Sequence, residues 1–260
     1  MLYVYGIVDS SSFETIRGGG HDGGDVVAVS AGVLAAAVSR LPACTIEATR
    51  QSVWCHEQVL ERLMRDHAVL PLRFGTICRD ADALRDCLLH SADGLVNDLD
   101  RVRGMVEIAL RVVEDDGGSE LPARCSGCDR VSTTSWHSDE GALGSSRASG
   151  NGVAVGRGTA YLRTRLQHHQ NMKTREDGGK RLEGLLRQHF DSDLKELICA
   201  VPPGESPGFL VSCLVERNQV ASFAGVLEQF RKDHPQFHVS STGPWAPYSF
   251  MSATAFLGGE

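Results

Sequence analysis

The sequence predicts an α+β protein of two domains, an N-terminal ferredoxin-like antiparallel sheet with helices on one face and a C-terminal domain with leading helices and a related sheet. Three observations predict it. The chain has 260 residues, enough for two ordinary domains. Its first half orders its periodic segments as strand, strand, strand, helix, strand, helix, strand, which suits an antiparallel sheet with helices packed on it. Its second half opens with two helices and then repeats strand, strand, helix, strand.

Leu2–Val8 is a strand, with Tyr3, Tyr5 and Ile7 alternating with Leu2, Val4 and Val8. The Ser-, Gly- and charge-rich stretch Asp9–Gly24 is a loop. Asp25–Ser30 is a second strand, and Gly32 turns the chain. Val33–Val38 is a third strand on hairpin spacing, although its alanines favour helix. Ser52–Asp66 is an amphipathic helix that Ser52 can cap. On or beside its apolar stripe of Val59, Leu60, Leu63 and Met64 lie His56 and His67, as hydrogen-bonded core residues rather than metal ligands.

The stretch Val69–Ile77 is a stiff strand. Leu70, Leu72 and Phe74 share a buried face, while Pro71, Arg73 and Gly75 fall on the other. Asp80 caps a helix over Ala81–Val102, which Gly94 bends or breaks, with Leu84, Cys87, Leu88, Leu95 and Leu99 inward. Met105–Val113 is a strand with Val106, Ile108, Leu110 and Val112 on one face. Residues 114–152 lack apolar periodicity and form a linker or surface insertion between domains 1–113 and 153–260. Arg157–Lys173 is a basic helix bearing Arg163 and Arg165, either a solvated face or a docking face for an acidic partner. Glu176–Phe190 and Gln219–His234 are helices, and Glu196–Val201, Phe209–Val215 and Phe237–Ser241 are strands. In Gly243–Phe250, two prolines and a glycine hold the chain open, while Trp245, Tyr248 and Phe250 present apolar surfaces that either cap the core or anchor a partner.

The formal charge of −7 argues against nucleic acid as the main partner, because phosphate binding needs a clustered basic surface. The longest apolar run, Val26–Val38, is interrupted by Ser30 and Gly32 and is too short to span a bilayer. The first residues lack a positive region before an apolar core, so the expected location is cytoplasmic. Of the eight cysteines, Cys44, Cys55, Cys78, Cys87, Cys199 and Cys213 stand singly in apolar segments as small buried thiols. Cys125 and Cys128 have the spacing of half a zinc site, with only His137 nearby, and are expected to bind no metal. There is no Gly-x-Ser-x-Gly, no phosphate-binding Gly-rich loop and no His-Glu-x-x-His, so no catalytic residue and no cofactor is expected.

Val69-Leu70-Pro71-Leu72-Arg73-Phe74-Gly75-Thr76 and Gly243-Pro244-Trp245-Ala246-Pro247-Tyr248-Ser249-Phe250 together resemble the motifs of the GvpL/GvpF family of gas vesicle proteins. Tyr3-Val4-Tyr5-Gly6-Ile7-Val8, His56 and Tyr161-Leu162 fit the same pattern in the same order. Ala246 departs from it, standing where the family usually has a second proline. The insertion at 114–152 matches nothing in it. The resemblance implies two α+β domains and a non-enzymatic, cytoplasmic role in gas vesicle formation. It also implies contact with the small hydrophobic shell protein and other accessory proteins. Arg73, Trp245, Tyr248 and Phe250 are the candidate partner-binding residues, with Arg163 and Arg165 as weaker ones. The alternative is a small-molecule enzyme or sensor on a ferredoxin-like fold, with Arg73 binding an anion in a cleft.

Overall fold

The computed structural model describes residues 1–10, 13–42, 45–115, 157–190, 193–202 and 208–252, with side chains only from Lys173 onward in 157–190. Met1–Glu114 and Asp177–Glu260 form one compact unit, and Asp115–Glu176 a second. The Cys125/Cys128 pair and its insertion lie outside the described residues, as do Cys44 and the side chains of Arg163 and Arg165.

The first unit holds two antiparallel sheets. In the first, β1 (Leu2–Val8), β2 (Val27–Ala31), β3 (Leu34–Arg40) and β4 (Val69–Pro71) take the order β2-β3-β1-β4, and β5 (Ile77–Cys78) also pairs with β1. Nearly every residue of β1 is apolar and buried, so both sheet faces need cover. Val4 and Ile7 pack with Leu84, Leu88, Leu95 and Leu99 of α2 (Ala81–His90) and α3 (Ala92–Val102). These two helices supply the expected cover on one face. Tyr3, Tyr5 and Val8 face the other way, under Val59, Leu60 and Leu63 of α1 (Arg50–Leu63), which adds a layer there. The alanines of β3 form strand, not helix, because pairing with β1 and β2 and burial on both sides outweigh their propensity.

Two helix boundaries differ from expectation. The N-cap of α1 is Thr49 and not Ser52. Thr49 Oγ1 accepts the Ser52 amide at 3.1 Å, and Ser52 Oγ accepts the Thr49 amide at 2.9 Å, a reciprocal capping box. Thr49→Ala should therefore cost about 1 kcal/mol, read as a lower urea midpoint with an unchanged slope. The Ala81–Val102 helix breaks at Ser91, three residues before Gly94, so that α2 lies against β2 and α3 against β4. Asp80 caps α2 as expected, its Oδ1 accepting the Ala83 amide at 2.8 Å.

The central stretch is a shorter strand than its alternation implied. Pro71 ends β4 at the edge of the sheet, opposite Gly6. The chain then turns, with the Thr76 amide on the Arg73 carbonyl at 3.1 Å and Gly75 at φ +86°, a conformation suited to glycine. The turn takes Phe74 off the face of Leu70 and Leu72. Those two lie in the α2/α3 core, while Phe74 is only half-buried and packs on the α1 side.

The second sheet has the order β7-β8-β6-β9, with β6 Met105–Glu114, β7 Glu196–Ala200, β8 Phe209–Glu216 and β9 Phe237–Trp245. Strand β6 follows the first-half helices in sequence but pairs with β8 and β9. With α4 (Arg157–His189) and α5 (Val220–Asp233) it completes a β-α-β-β-α-β unit, the ferredoxin-like pattern. The first sheet has the same strand order, with a loop in place of the first helix. One continuous α4 stands where two helices were expected. Its Leu182, Leu186 and Phe190 join Phe223, Leu227 and Phe230 of α5 over Ile108, Leu110 and Val112. Cys78 and Cys213 are buried as expected, whereas Cys55, Cys87 and Cys199 are only partly so.

Candidate functional site

Strand β9 runs past Ser241 to Trp245, and the chain then enters the two cores that flank the first sheet. The β6–β9 register shifts between Glu107 and Ala109, where Gly243 sits at φ +121° with no space for a side chain, since a Cβ would stand 2.8 Å from the Glu107 carbonyl. Ala246 is buried in the α1 core, and Phe250 is buried in the α2/α3 core together with Leu214. Two buried carboxylates clasp the same segment. Glu107 accepts the Ser249 amide at 2.9 Å and its hydroxyl at 2.7 Å. Asp98 accepts the Ser252 amide at 2.9 Å together with its hydroxyl, and faces Arg101 at 3.2 Å. Each pair of serine donors offsets the cost of burying a charge.

A hydrogen-bonded chain lies between these clasps and α1. The Tyr248 hydroxyl donates to Glu57 Oε1 at 2.7 Å, so it accepts from His56 Nε2, 3.1 Å away. Nδ1 of the neutral ring then accepts from the Tyr3 hydroxyl at 2.8 Å, which itself accepts the Gly75 amide at 3.2 Å. Burial, helped by nearby His21, lowers the His56 pKa to about 4. Burial raises the phenols of Tyr3 and Tyr248 and the carboxyl of Glu57, the last opposed by the Tyr248 hydroxyl. Burial also lowers the pKa of His21, opposed by Asp22; its Nε2 has no hydrogen-bond partner among the described residues, and its ring lies edge-on 4.3 Å from Tyr3 and stacked 5.5 Å from Tyr5. Both nitrogens of His56 are occupied and the ring is fully enclosed, so it holds its neighbours in place. His67, half-buried, faces Asp9 at 3.9 Å.

Outside this buried chain lies a groove of about 330 Å³ between α1 and the Pro244–Ala246 segment. Its walls include Trp54, Met64, Val106 and Trp245, and its polar lining is Glu57, Gln58, Glu61 and Arg217. Trp54 is 58% exposed and Trp245 40%. Trp54 also borders a second cavity of about 750 Å³ between the start of α1 and the Gly18–Gly24 loop.

The predicted residues therefore separate. Trp245 lines the groove, with its indole N–H on Thr242 Oγ1 at 3.3 Å. Tyr248 turns inward onto His56 and Glu57, and Phe250 is core. Arg73 is exposed on the Arg73–Thr76 turn and lines neither cavity. Trp54 and Glu57 were missed. Trp54 had a signal, an indole off the apolar stripe of its helix. Glu57 had none, because its partner Tyr248 is 191 residues away.

The sequence pattern of the family described as "Gas vesicle synthesis protein GvpL/GvpF" matches residues 1–252. Gas vesicle protein L of Streptomyces sp. (strain CB03234) is 27% identical over 87% of this chain and 80% of its own. Gas vesicle protein F of the same strain is 28% identical over 96% of this chain and 98% of its own. Two crystal structures share the fold. GvpF from Anabaena sp. PCC7120 has a TM-score of 0.65 at 18% identity, over 97% of this chain and 96% of its own. GvpF from Microcystis aeruginosa has a TM-score of 0.66 at 16% identity, over 96% and 98%. Tyr3 of β1, His56 and Tyr248 of the Gly243–Phe250 segment, which fit the family in sequence, meet in one hydrogen-bonded cluster, and the family pattern spans both sheets; the chain belongs to the GvpL/GvpF family and takes part in gas vesicle formation.

Proposed function

We propose that the protein acts without catalysis, binding the small hydrophobic shell protein, together with other vesicle accessory proteins, as the vesicle is built. The observation that carries this is the pair of exposed tryptophans, Trp54 and Trp245, on one apolar groove. Aromatic side chains supply much of the energy of protein interfaces, and exposed apolar patches mark such sites. A shell protein exposes apolar surface before it polymerises and needs a partner that shields or nucleates it. The Glu107, Asp98 and His56 contacts hold the wall of the groove, so little ordering cost remains on binding. Trp245 is the direct anchor, with Tyr248 and Phe250 positioning it. Arg73 on its exposed turn, and Arg163 and Arg165 on α4, are further determinants. No helix among the described residues is long and apolar enough to cross a membrane.

Trp245→Ala tests this. The thermal melt should change little, because the indole is already partly in water. Retention of the shell protein in co-purification should fall about tenfold or more, as for an interface anchor, and vesicles should fail to form. Normal shell-protein binding and normal vesicles in a Trp54→Ala, Trp245→Ala double variant would overturn the assignment.

A further inference from the structure

We propose that the groove selects a segment that carries a lysine or arginine beside its apolar anchor, with Glu57 and Glu61 as the groups that select it. This rests on the function proposed above and names the chemistry of the segment that binds there. Glu57 lines the groove half-buried, and among the described residues its one hydrogen bond is the Tyr248 hydroxyl on Oε1. Glu61 follows four residues later on the same helix face, so the two carboxylates sit one turn apart on one wall. The cation nearest Glu61 is Arg65, 4.0 Å away with both side chains exposed, a pair that contributes little. Arg217 is the one guanidinium lining the groove, and it forms no ion pair among the described residues. The upward push that burial gives the Glu57 carboxyl fits a group without a cation beside it.

The rest of the groove suits such a side chain. Trp54 and Trp245 both line the groove, and indole rings attract a cation and cover its methylene stem, which favours Lys and Arg over a neutral residue. A volume of about 330 Å³ admits one or two side chains, so the contact is an anchor with its neighbour and not a whole helix. An acidic residue at the same place would meet two carboxylates, one partly desolvated. The groove therefore discriminates by repulsion as well as attraction.

The test uses the full chain and two synthetic peptides that share a Leu-Trp anchor and differ only in having Lys or Glu next to it. The Lys peptide should bind about tenfold more tightly at low ionic strength, and the preference should shrink at high salt. In a Glu57→Gln, Glu61→Gln variant the preference should fall to about twofold or less. Its fold should persist, since a glutamine oxygen at 57 can still accept from Tyr248. Equal binding of the two peptides, or a preference for Lys that survives in the double variant, overturns the inference. Co-purification of the shell protein with the wild-type chain is the separate readout for the underlying function. Retention there with no peptide preference removes the charge selection alone, and a peptide preference without shell-protein retention removes the shell-protein assignment alone.

Discussion

Phe250→Ala should destabilise the protein by about 3 to 5 kcal/mol and lower its melting temperature by roughly 10 °C. Phe250 is 2% exposed and fills the core between β1, α2 and α3, where it also meets Leu214 of the second sheet. Truncation removes its transfer energy and leaves a cavity. The backbone on either side is pinned by Ser249 on Glu107 and Ser252 on Asp98, so the segment cannot collapse into that cavity. The contrast with Trp245 is the useful part. Five residues apart in one motif, Phe250 should act on stability and Trp245 on binding. A melt unchanged by Phe250→Ala would show that this segment does not close the core.

Acid should weaken the fold in a window set by His56. Its pKa is about 4 in the folded protein against 6.5 ordinarily, so between those values the unfolded chain binds a proton that the folded chain does not. Stability contributed by the neutral ring is whole above pH 6.5, falls as the pH drops, and is fully lost near pH 4. The gap is worth roughly 3 kcal/mol. His21, also lowered by burial, adds to the same slope. Glu57 opposes it, because a carboxyl raised by burial favours the folded state while protonated and loses that contribution as the pH rises through its folded value. Melting temperatures measured from pH 4 to pH 7 should rise steeply in the wild type and more gently in His56→Gln. Equal slopes in the two proteins would assign the acid sensitivity elsewhere.

Local chemistry was enough for much of the chain. Alternation placed β1 and β6, the three-four spacing placed α1 and α5, and Asp80 marked the start of α2, because each signal lies within a few residues of what it controls. The same holds for the two long motifs, whose residue order carries the family likeness without any structure. Contacts distant in sequence decided the rest. The turn at Gly75 sent Phe74 to a different core from Leu72. Pairing with β8 and β9 moved β6 into the second sheet and made that sheet the full β-α-β-β-α-β unit. Trp245, Tyr248 and Phe250 look equivalent as large aromatic residues in one open segment, yet one is a groove wall, one a hydrogen-bond donor and one a core residue. Their roles depend on His56, Glu57, Asp98 and Glu107, more than a hundred residues earlier. Periodicity and caps determined which elements form, because those are local balances of propensity and solvent exposure. Which surface each side chain meets was decided only by folding, because burial and hydrogen bonding are satisfied across the whole chain at once.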